Sequence, residues 1–255
     1  MATLSIVLIT KNEADKLDAC LESVSWADEI VVFDSGSTDN TLEIARRFTD
    51  RVYEEQIWPG FGPQRQRAQE KATCDWIMMI DADEVVTPDL QEEIQHAVAL
   101  NDQSKVYAVP RLTWAFGAYI RHSGWYPDYV VRLYPKHLAT YDDAMVHEKV
   151  VFGENMQVVK LRGNLLHFTF RDLEQWINKT ARYSAAWAEE KYRQGKHSTI
   201  FDAVSHAAVY FIKAFFIRKG FLDGRAGFVL AVLGAYSRFI KYTDLWLRQR
   251  EKNTQ

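Results

Sequence analysis

Asp81, Asp83 and Glu84 close the stretch WIMMIDADE at residues 76–84. An apolar run leads straight into them, so a buried strand ends in three acids. Carboxylates this close repel one another, and a compensating positive charge is expected beside them. A metal ion, a basic partner, or solvent at a helix start would each answer that need. Magnesium and manganese take oxygen ligands and are commonly held by one or two carboxylates together with substrate phosphates. An Asp-x-Asp at a strand end can set one carboxylate on such an ion and the other on its waters or on a sugar. The helix start is the weaker alternative, because Pro88 and Asp89 can open the segment TPDLQEEI without Asp81 or Asp83.

DSGSTDNT at 34–41 is a second polar corner. Gly36 permits a tight turn, Ser37, Thr38, Asp39 or Asn40 can cap the helix that follows, and Asn40 with Glu43 has capping-box spacing. An ordinary strand–turn–helix corner fits this pattern. So does a nucleotide site, in which the Asp34 carboxylate accepts hydrogen bonds from a ribose or a base.

The elements that position these corners alternate. Strands are expected at 4–10, 29–34, 51–55 and 76–80, with helices from 14, over 40–48 and over 62–73 between them. Such alternation implies right-handed crossovers and a parallel sheet, whose ligands sit outside the carboxyl ends of the strands. That rule brings Thr10-Lys11-Asn12-Glu13, the Asp34 corner and the Asp81 corner to one edge. Beyond Pro88 shorter strands are expected at 105–112, 130–135, 147–153 and 164–170. Helix returns from 172, with Leu173, Trp176, Thr180, Tyr183 and Trp187 on one face, and two more helices follow near 200–218 and 225–248.

A chain of 255 residues, 47% hydrophobic, can bury a full core as one large domain or as a domain with an appendage. Its net charge of -3 argues against a general polyanion binder, so no nucleic acid is expected. The charge is unevenly placed: residues 200–255 carry 9 Lys and Arg against 4 Asp and Glu, and the remaining 22 basic residues face 30 acidic ones. Cys20 and Cys74 make no disulfide framework, which suits a reducing compartment. SIVLIT is too short for a signal-peptide core and lacks a basic flank. No 18 apolar residues run uninterrupted, so a membrane span is not expected.

SIVLITKNEADKLDACLESV, DEIVVFDSGSTDNT and WIMMIDADE, in this order and spacing, resemble the nucleotide-sugar half of inverting family 2 glycosyltransferases. FGAYIRHSGWYPDYVVRLYPK, VHEKV, LLHFTFRDLEQW and FFIRKGFLDGRAGFVLA are similar to lipopolysaccharide inner-core β-1,4-glucosyltransferases of the WaaE/KdtX type, extending the resemblance to about residue 247. It implies an α/β GT-A fold over 1–171, with a nucleotide-sugar half to about 100 and an acceptor half after it, followed by a helical extension over 172–255. It further implies a UDP-glucose donor, a divalent metal (Mg2+ or Mn2+) and a heptose acceptor on lipid A. Thr10, Asn12, Glu13 and Asp34 match the positions that hold the uridine, with Ser37 in the same corner, and Asp81 and Asp83 match the Asp-x-Asp. Arg65 and Arg67, in QRQRAQEKA, stand where many members carry Arg-Asn and Ala-Leu; they are candidate diphosphate contacts or a solvated helix face.

Inversion needs a base to take the acceptor hydroxyl proton. The Glu-Asp pair of many relatives has no clear copy here. Two carboxylates substitute: Asp128 in the aromatic loop GWYPDY, and Glu148 in VHE, where polar residues enter an apolar strand; Glu148 is preferred. His167, between apolar neighbours in LLHFTF, is a core histidine or a further metal ligand. Trp125 and Tyr126 offer a platform for acceptor sugar. His147 orients the acceptor or bonds locally, and Arg132 meets acceptor phosphate or makes a surface ion pair.

The basic, aromatic tail suits helices lying on an anionic membrane surface, or a helical cap with a basic outer face. A lipid-linked acceptor favours the membrane, which implies a peripheral protein at the cytoplasmic face of the inner membrane. Two other classes fit the sequence less well. A nucleotidyltransferase would show a Gly-rich loop near the N-terminus, which LITKNEAD lacks. A carbohydrate-binding scaffold would not bind UDP in a metal-dependent way.

Overall fold

The computed structural model describes residues 1–170 and 172–252. The chain forms β1 (Leu4–Thr10), α1 (Leu17–Glu22), β2 (Glu29–Asp34), α2 (Thr41–Arg46), β3 (Val52–Glu54) and α3 (Phe61–Lys71). Next come β4 (Trp76–Asp81), β5 (Glu84–Val86), α4 (Pro88–Leu100), β6 (Lys105–Ala115), β7 (Ala118–Tyr119) and β8 (Asp128–Pro135). Four short strands follow: β9 (Ala139–Tyr141), β10 (Val150–Phe152), β11 (Gln157–Lys160) and β12 (Leu165–His167). The C-terminal part holds α5 (Leu173–Arg193), α6 (Ile200–Ile212), a π-helical turn (Lys213–Ile217), a 3-10 turn (Gly220–Asp223) and α7 (Gly224–Lys252).

The chain divides into two compact units, Met1–Arg111 with Asp128–His167, and Leu112–Pro127 with Phe168–Gln255. The boundary expected at 171/172 involves Arg171, which lies outside the described residues. The units part after His167, and the second also takes 112–127 from the middle of the chain.

In the first unit the sheet runs β3-β2-β1-β4-β8-β6-β12-β5. The four strands from β3 to β4 are parallel, and β8 pairs antiparallel with both β4 and β6. Thus the first half is the parallel sheet that alternation implies, and the later half is mixed. Every residue of β1 and β2 is buried, as befits strands covered on both faces. Leu4, Ile6 and Leu8 join Leu17, Leu21 and Ile94 on one face, while Val7 and Ile9 join Ala68, Ile77 and Met79 on the other. Two cores therefore clamp the strands, and a register slip would exchange them.

Several boundaries differ from expectation. Residues 147–149 precede β10, so Glu148 lies in a loop instead of a strand. Asn40 makes no capping bond; Asp39 Oδ1 instead accepts from Thr41 N at 3.0 Å. Helix α4 does begin at Pro88, capped by Thr87, without using Asp81 or Asp83.

In the second unit α5 buries Trp176, Ser184 and Ala188, whereas Leu173 and Tyr183 are exposed. The inward face is thus rotated from the aromatic stripe expected. Trp187 and His206 both meet Tyr242 of α7, at ring separations of 5.0 and 4.1 Å. Thr199 and Asp202 form a capping box at the start of α6. Among the described residues one segment, Ile200–Ile217, is long and apolar enough to cross a membrane by length and composition, although no unbroken apolar run marks it in the sequence.

Candidate active site

The carboxyl ends of β1 and β2 are sewn together by their own side chains. Asp34 is fully buried, and its Oδ1 accepts from Gly36 N (2.9 Å) and Ser37 N (2.8 Å). Its Oδ2 accepts from Thr10 Oγ1 (3.0 Å) and Ser37 Oγ (2.5 Å). Three donors from the loop and one from the end of β1 meet this carboxylate, so Asp34 anchors the corner. Asn12, at φ 56°, donates its N–H to Ser37 Oγ (2.8 Å) and accepts from Thr38 N at Oδ1 (2.8 Å). Glu13 N donates to Thr41 Oγ1 at 2.9 Å. Thr10, Asn12, Glu13, Asp34 and Ser37 thus converge as one rigid rim.

The charge expected beside the acids comes from within the chain. Arg65 Nη2 lies 2.5 Å from Asp81 Oδ1, and Arg132 Nη2 lies 2.6 Å from Asp81 Oδ2. Arg132 Nη2 also meets Glu84 Oε1 at 2.7 Å, and Glu84 Oε2 accepts from Asp81 N at 2.9 Å. Beyond Arg65, Glu148 Oε1 accepts from Nε at 2.8 Å. Beyond Glu84, Arg111 Nη1 stands 3.8 Å away and bonds Asp128 Oδ2 through Nε (2.9 Å) and Nη2 (2.5 Å). The result is one alternating ladder: Glu148, Arg65, Asp81, Arg132, Glu84, Arg111, Asp128.

Both base candidates are its ends. Arg65 and Arg132 are each 4% exposed, and Glu84 is 0% exposed. These are charges held inside the fold, not a solvated surface, so neither the exposed-helix reading of Arg65 nor the surface-pair reading of Arg132 holds.

Burial raises the Asp81 carboxyl, but the Arg132 and Arg65 guanidiniums outweigh it and hold the group far below the usual range. Glu84 moves the other way: burial raises it, Arg132 lowers it, and the neighbouring Asp81 charge raises it again. Burial lowers the affinity of both arginines for their protons, and the carboxylates reverse this, Asp81 most of all. Beneath the turn, Cys20 Sγ lies 3.5 Å from Asp81 O. Its thiol is pushed well up by burial and then by the charges of Glu84, Asp83 and Asp81.

Asp83 is separate from the ladder. Its Oδ2 lies 3.6 Å from His167 Nε2 and 3.8 Å from Lys16 Nζ. Among the described residues no group of three or more His, Cys, Asp and Glu side chains could hold a metal. Both Asp81 oxygens meet arginines in this structure, and of the expected ligands Asp83 and His167 lie together. One carboxylate and one imidazole fit a divalent ion whose other positions go to substrate phosphate and water, not an all-protein cage.

The remaining candidates fall elsewhere. Arg67 is partly exposed and reaches Ile57 O at 3.4 Å, away from the ladder. His147 is exposed with φ 65°. Trp125 and Tyr126 belong to the second unit, where Trp125 packs on Ala115, Ile120, Ala226 and Leu230 and Arg121 lies 5.9 Å from the Tyr126 ring. Sequence reasoning did not single out Arg111, nor a role for Glu84. A signal was present: an arginine inside an apolar strand, as in VVRLYP and VPRLTW, needs a buried acid.

Comparison with known proteins gives this geometry a family. The sequence model for glycosyl transferase family 2 matches residues 5–159. A glycosyltransferase of Rickettsia typhi is 31% identical over 255 residues, covering 96% of this chain and 87% of its own. The lipopolysaccharide core biosynthesis glycosyltransferase LpsC of Rhizobium meliloti is 30% identical, with 98% of this chain and 94% of its own covered. Among solved structures, S. aureus TarS 1–349 in complex with UDP aligns with 98% of this chain and 92% of its own at 15% identity and a TM-score of 0.49. Glucosyl-3-phosphoglycerate synthase of Mycobacterium tuberculosis with Mn2+ and UDP-glucose aligns with 46% of this chain and 45% of its own at 26% identity, TM-score 0.38. The family model spans more than half of the chain and both relatives align nearly end to end. This chain is a member of glycosyltransferase family 2, on the mixed α/β GT-A sheet with flanking helices and a C-terminal helical part.

Proposed function

We propose that the chain is an inverting, metal-dependent hexosyltransferase. On this reading it moves glucose from UDP-glucose to a heptose of the lipopolysaccharide inner core on lipid A, at the cytoplasmic face of the inner membrane. The observation that carries the chemistry is the Asp83–His167 pair beside an Asp81 held by two buried arginines. The acceptor class is supported by the end-to-end likeness to LpsC, whose name places it in lipopolysaccharide core biosynthesis. The UDP donor is supported by the resemblance of the three strand-tip blocks to the nucleotide-sugar half of the family.

The residues divide the work by charge. The acceptor hydroxyl attacks the anomeric carbon as the bond from that carbon to the diphosphate breaks, and Glu148 takes the hydroxyl proton. Among the described residues, Arg65 Nη1 and Arg132 Nε are buried donors without a hydrogen-bond partner. They are the cations placed for charge that develops on the leaving diphosphate. A divalent cation on Asp83 and His167 supplies further positive charge to the diphosphate when bound. Glu148 is preferred as base because it shares Arg65 with Asp81, while Asp128 stands at the far end of the ladder with its side chain 45% exposed.

The test is UDP release by purified protein given UDP-glucose or UDP-galactose and a heptose-bearing lipid A acceptor, with Mg2+, Mn2+ or EDTA. Acceptor-dependent release from UDP-glucose that is lost with EDTA and in D83A supports the whole reading. Release from UDP-galactose alone replaces the donor. An active E148Q beside an inactive D128N transfers the base to Asp128. Metal-dependent UDP binding without release from either donor discards the substrate assignment and leaves the family.

A further inference from the structure

The second unit carries a surface that a water-soluble enzyme core does not account for. The segment Ile200–Ile217 has a mean hydropathy of 1.5, yet only 11% of it is buried within the fold. A core helix of that composition would be mostly covered. The exposure continues round the turn: Ile217 is 71% exposed, Leu222 57%, Phe216 56% and Phe221 48%. Phe215 organises these rings, with centroids at 5.1 Å from Phe216, 5.7 Å from Phe228 and 6.3 Å from Phe221. The tip is tightly folded, since a Cβ on Gly227 would stand 1.9 Å from Gly220 O.

The charges at this tip are of one sign. Between residues 213 and 225 the ionic side chains are Lys213, Arg218, Lys219, Asp223 and Arg225. All four cations belong to exposed residues. The single acid is turned to internal use, its side chain 4% exposed. Asp223 accepts from Arg121 N (3.1 Å) and His122 N (2.9 Å), and its Oδ1 lies 2.8 Å from His122 Nδ1. Ser123 N donates to Arg218 O at 2.9 Å. The loop that runs on to Trp125 and Tyr126 is therefore bonded to the turn of the same hairpin.

We propose that this hairpin, from α6 through the π-helical turn into α7, inserts its tip into the interface of an anionic bilayer and carries the 121–126 loop with it. Apolar and aromatic side chains enter the headgroup boundary while the surrounding cations meet acidic lipid. Charge decides against a second copy as the occupant. A self-complementary contact would bring four cations against four, with no exposed acid at the tip to offset them. A full span is disfavoured by Asp202 and Lys213 within the apolar segment and by the break at the turn. The inference deepens the proposed function and rests on its lipid-borne acceptor: docking the hairpin presents the aromatic loop at the surface where that acceptor lies.

The experiment is flotation of the full chain with vesicles of phosphatidylcholine alone or mixed with phosphatidylglycerol. Flotation with the mixed vesicles only, weakened roughly 30-fold in K213Q/K219Q and abolished in I217S/L222S, is the expected result. The serine changes fall on exposed side chains and the glutamine pair provides a second, conservative handle. Equal flotation with neutral vesicles, no flotation, or retention through alkaline carbonate would each overturn the proposal. So would a lipid-free dimer that I217S/L222S converts to monomer. Turnover separates this inference from the enzymatic one. I217S/L222S should match wild type on a deacylated, water-soluble acceptor and fall on the vesicle-borne one; equal turnover on both would refute the docking role. Wild type that floats as expected but turns over neither acceptor refutes the enzymatic reading and supports lipid docking.

Discussion

Replacing Arg132 by methionine isolates the worth of the arginine ladder. Arg132 is 4% exposed and its Nη2 serves Asp81 Oδ2 at 2.6 Å and Glu84 Oε1 at 2.7 Å. Methionine fills much of the volume and removes the charge. Asp81 keeps Arg65 on its other oxygen, so the loss falls mainly on Glu84. Glu84 is fully buried, and its next cation, Arg111, is 3.8 Å away, beyond hydrogen-bond reach. Breaking a buried ion pair from one side costs about 3–5 kcal/mol.

With a urea m-value of roughly 3 kcal/mol/M, the midpoint should fall by about 1–1.7 M. Fluorescence and far-UV circular dichroism should report one transition before that shift is converted into free energy. Adding E84Q should restore at least half of the loss. The amide removes the stranded charge, while its oxygen can still accept from Asp81 N. A loss below about 1 kcal/mol in R132M would equate the pair with an exposed one and refute the reasoning. So would an unimproved double variant.

Four further outcomes are expected. R65A should lose about 100-fold or more in kcat/KM for the donor, whereas R67A should stay close to wild type; steady-state kinetics on both variants decides whether one helix position or two face the site. G62A should destabilise by about 1–3 kcal/mol in urea unfolding, because a Cβ there would stand 2.0 Å from Asp142 O. Ellman's reagent should titrate Cys74 in the native chain and Cys20 only after unfolding, since Cys20 is fully buried and its thiol is pushed up. Burial raises the Glu29 carboxyl, but bonds from Ser5 and Thr73 and the Arg51 charge bring it below its ordinary 4.5. A lowered carboxylate stabilises above its unfolded value, and that contribution fades as the pH falls through the folded one. E29Q should therefore be less stable than wild type at neutral pH, with the gap closing below pH 4.5 in chemical-denaturation series.

What the sequence makes legible depends on how each element is stabilised. Strands β1, β2 and β4 are apolar runs covered on both faces, and their tips could be placed because a parallel sheet leaves little choice. Strand β11 reads QVVK and is mostly exposed, and β7 has two residues; neither carries a periodic signal. The acids of WIMMIDADE demanded a cation, and the structure sets two arginines against Asp81. The sequence alone could not tell an ion from an arginine, because Arg65 and Arg132 lie 16 and 51 positions from Asp81 and pairing at such separation leaves no local trace. The same distance effect hid the tie between Asp223 and residues 121–122, which joins a central loop to the C-terminal unit.

Helix α3 buries Gly62, Gln64, Arg65, Ala68 and Gln69, a largely polar face. Little apolar surface draws it inward, so it docks by bonds to groups already in position. Gln64 Nε2 donates to Ser35 Oγ, Gln69 Nε2 donates to Ala139 O at 2.9 Å, and Gln69 Oε1 accepts from Tyr134 Oη at 3.1 Å. Those partners come from three different strands or their ends. The helix therefore holds its place only while those strands hold theirs. Arg65 rides on the same helix, so a change that loosened its seating would leave Asp81 lacking one of its two cations. The seating of one polar helix and the balance of the charged site thus rest on the same few amide bonds.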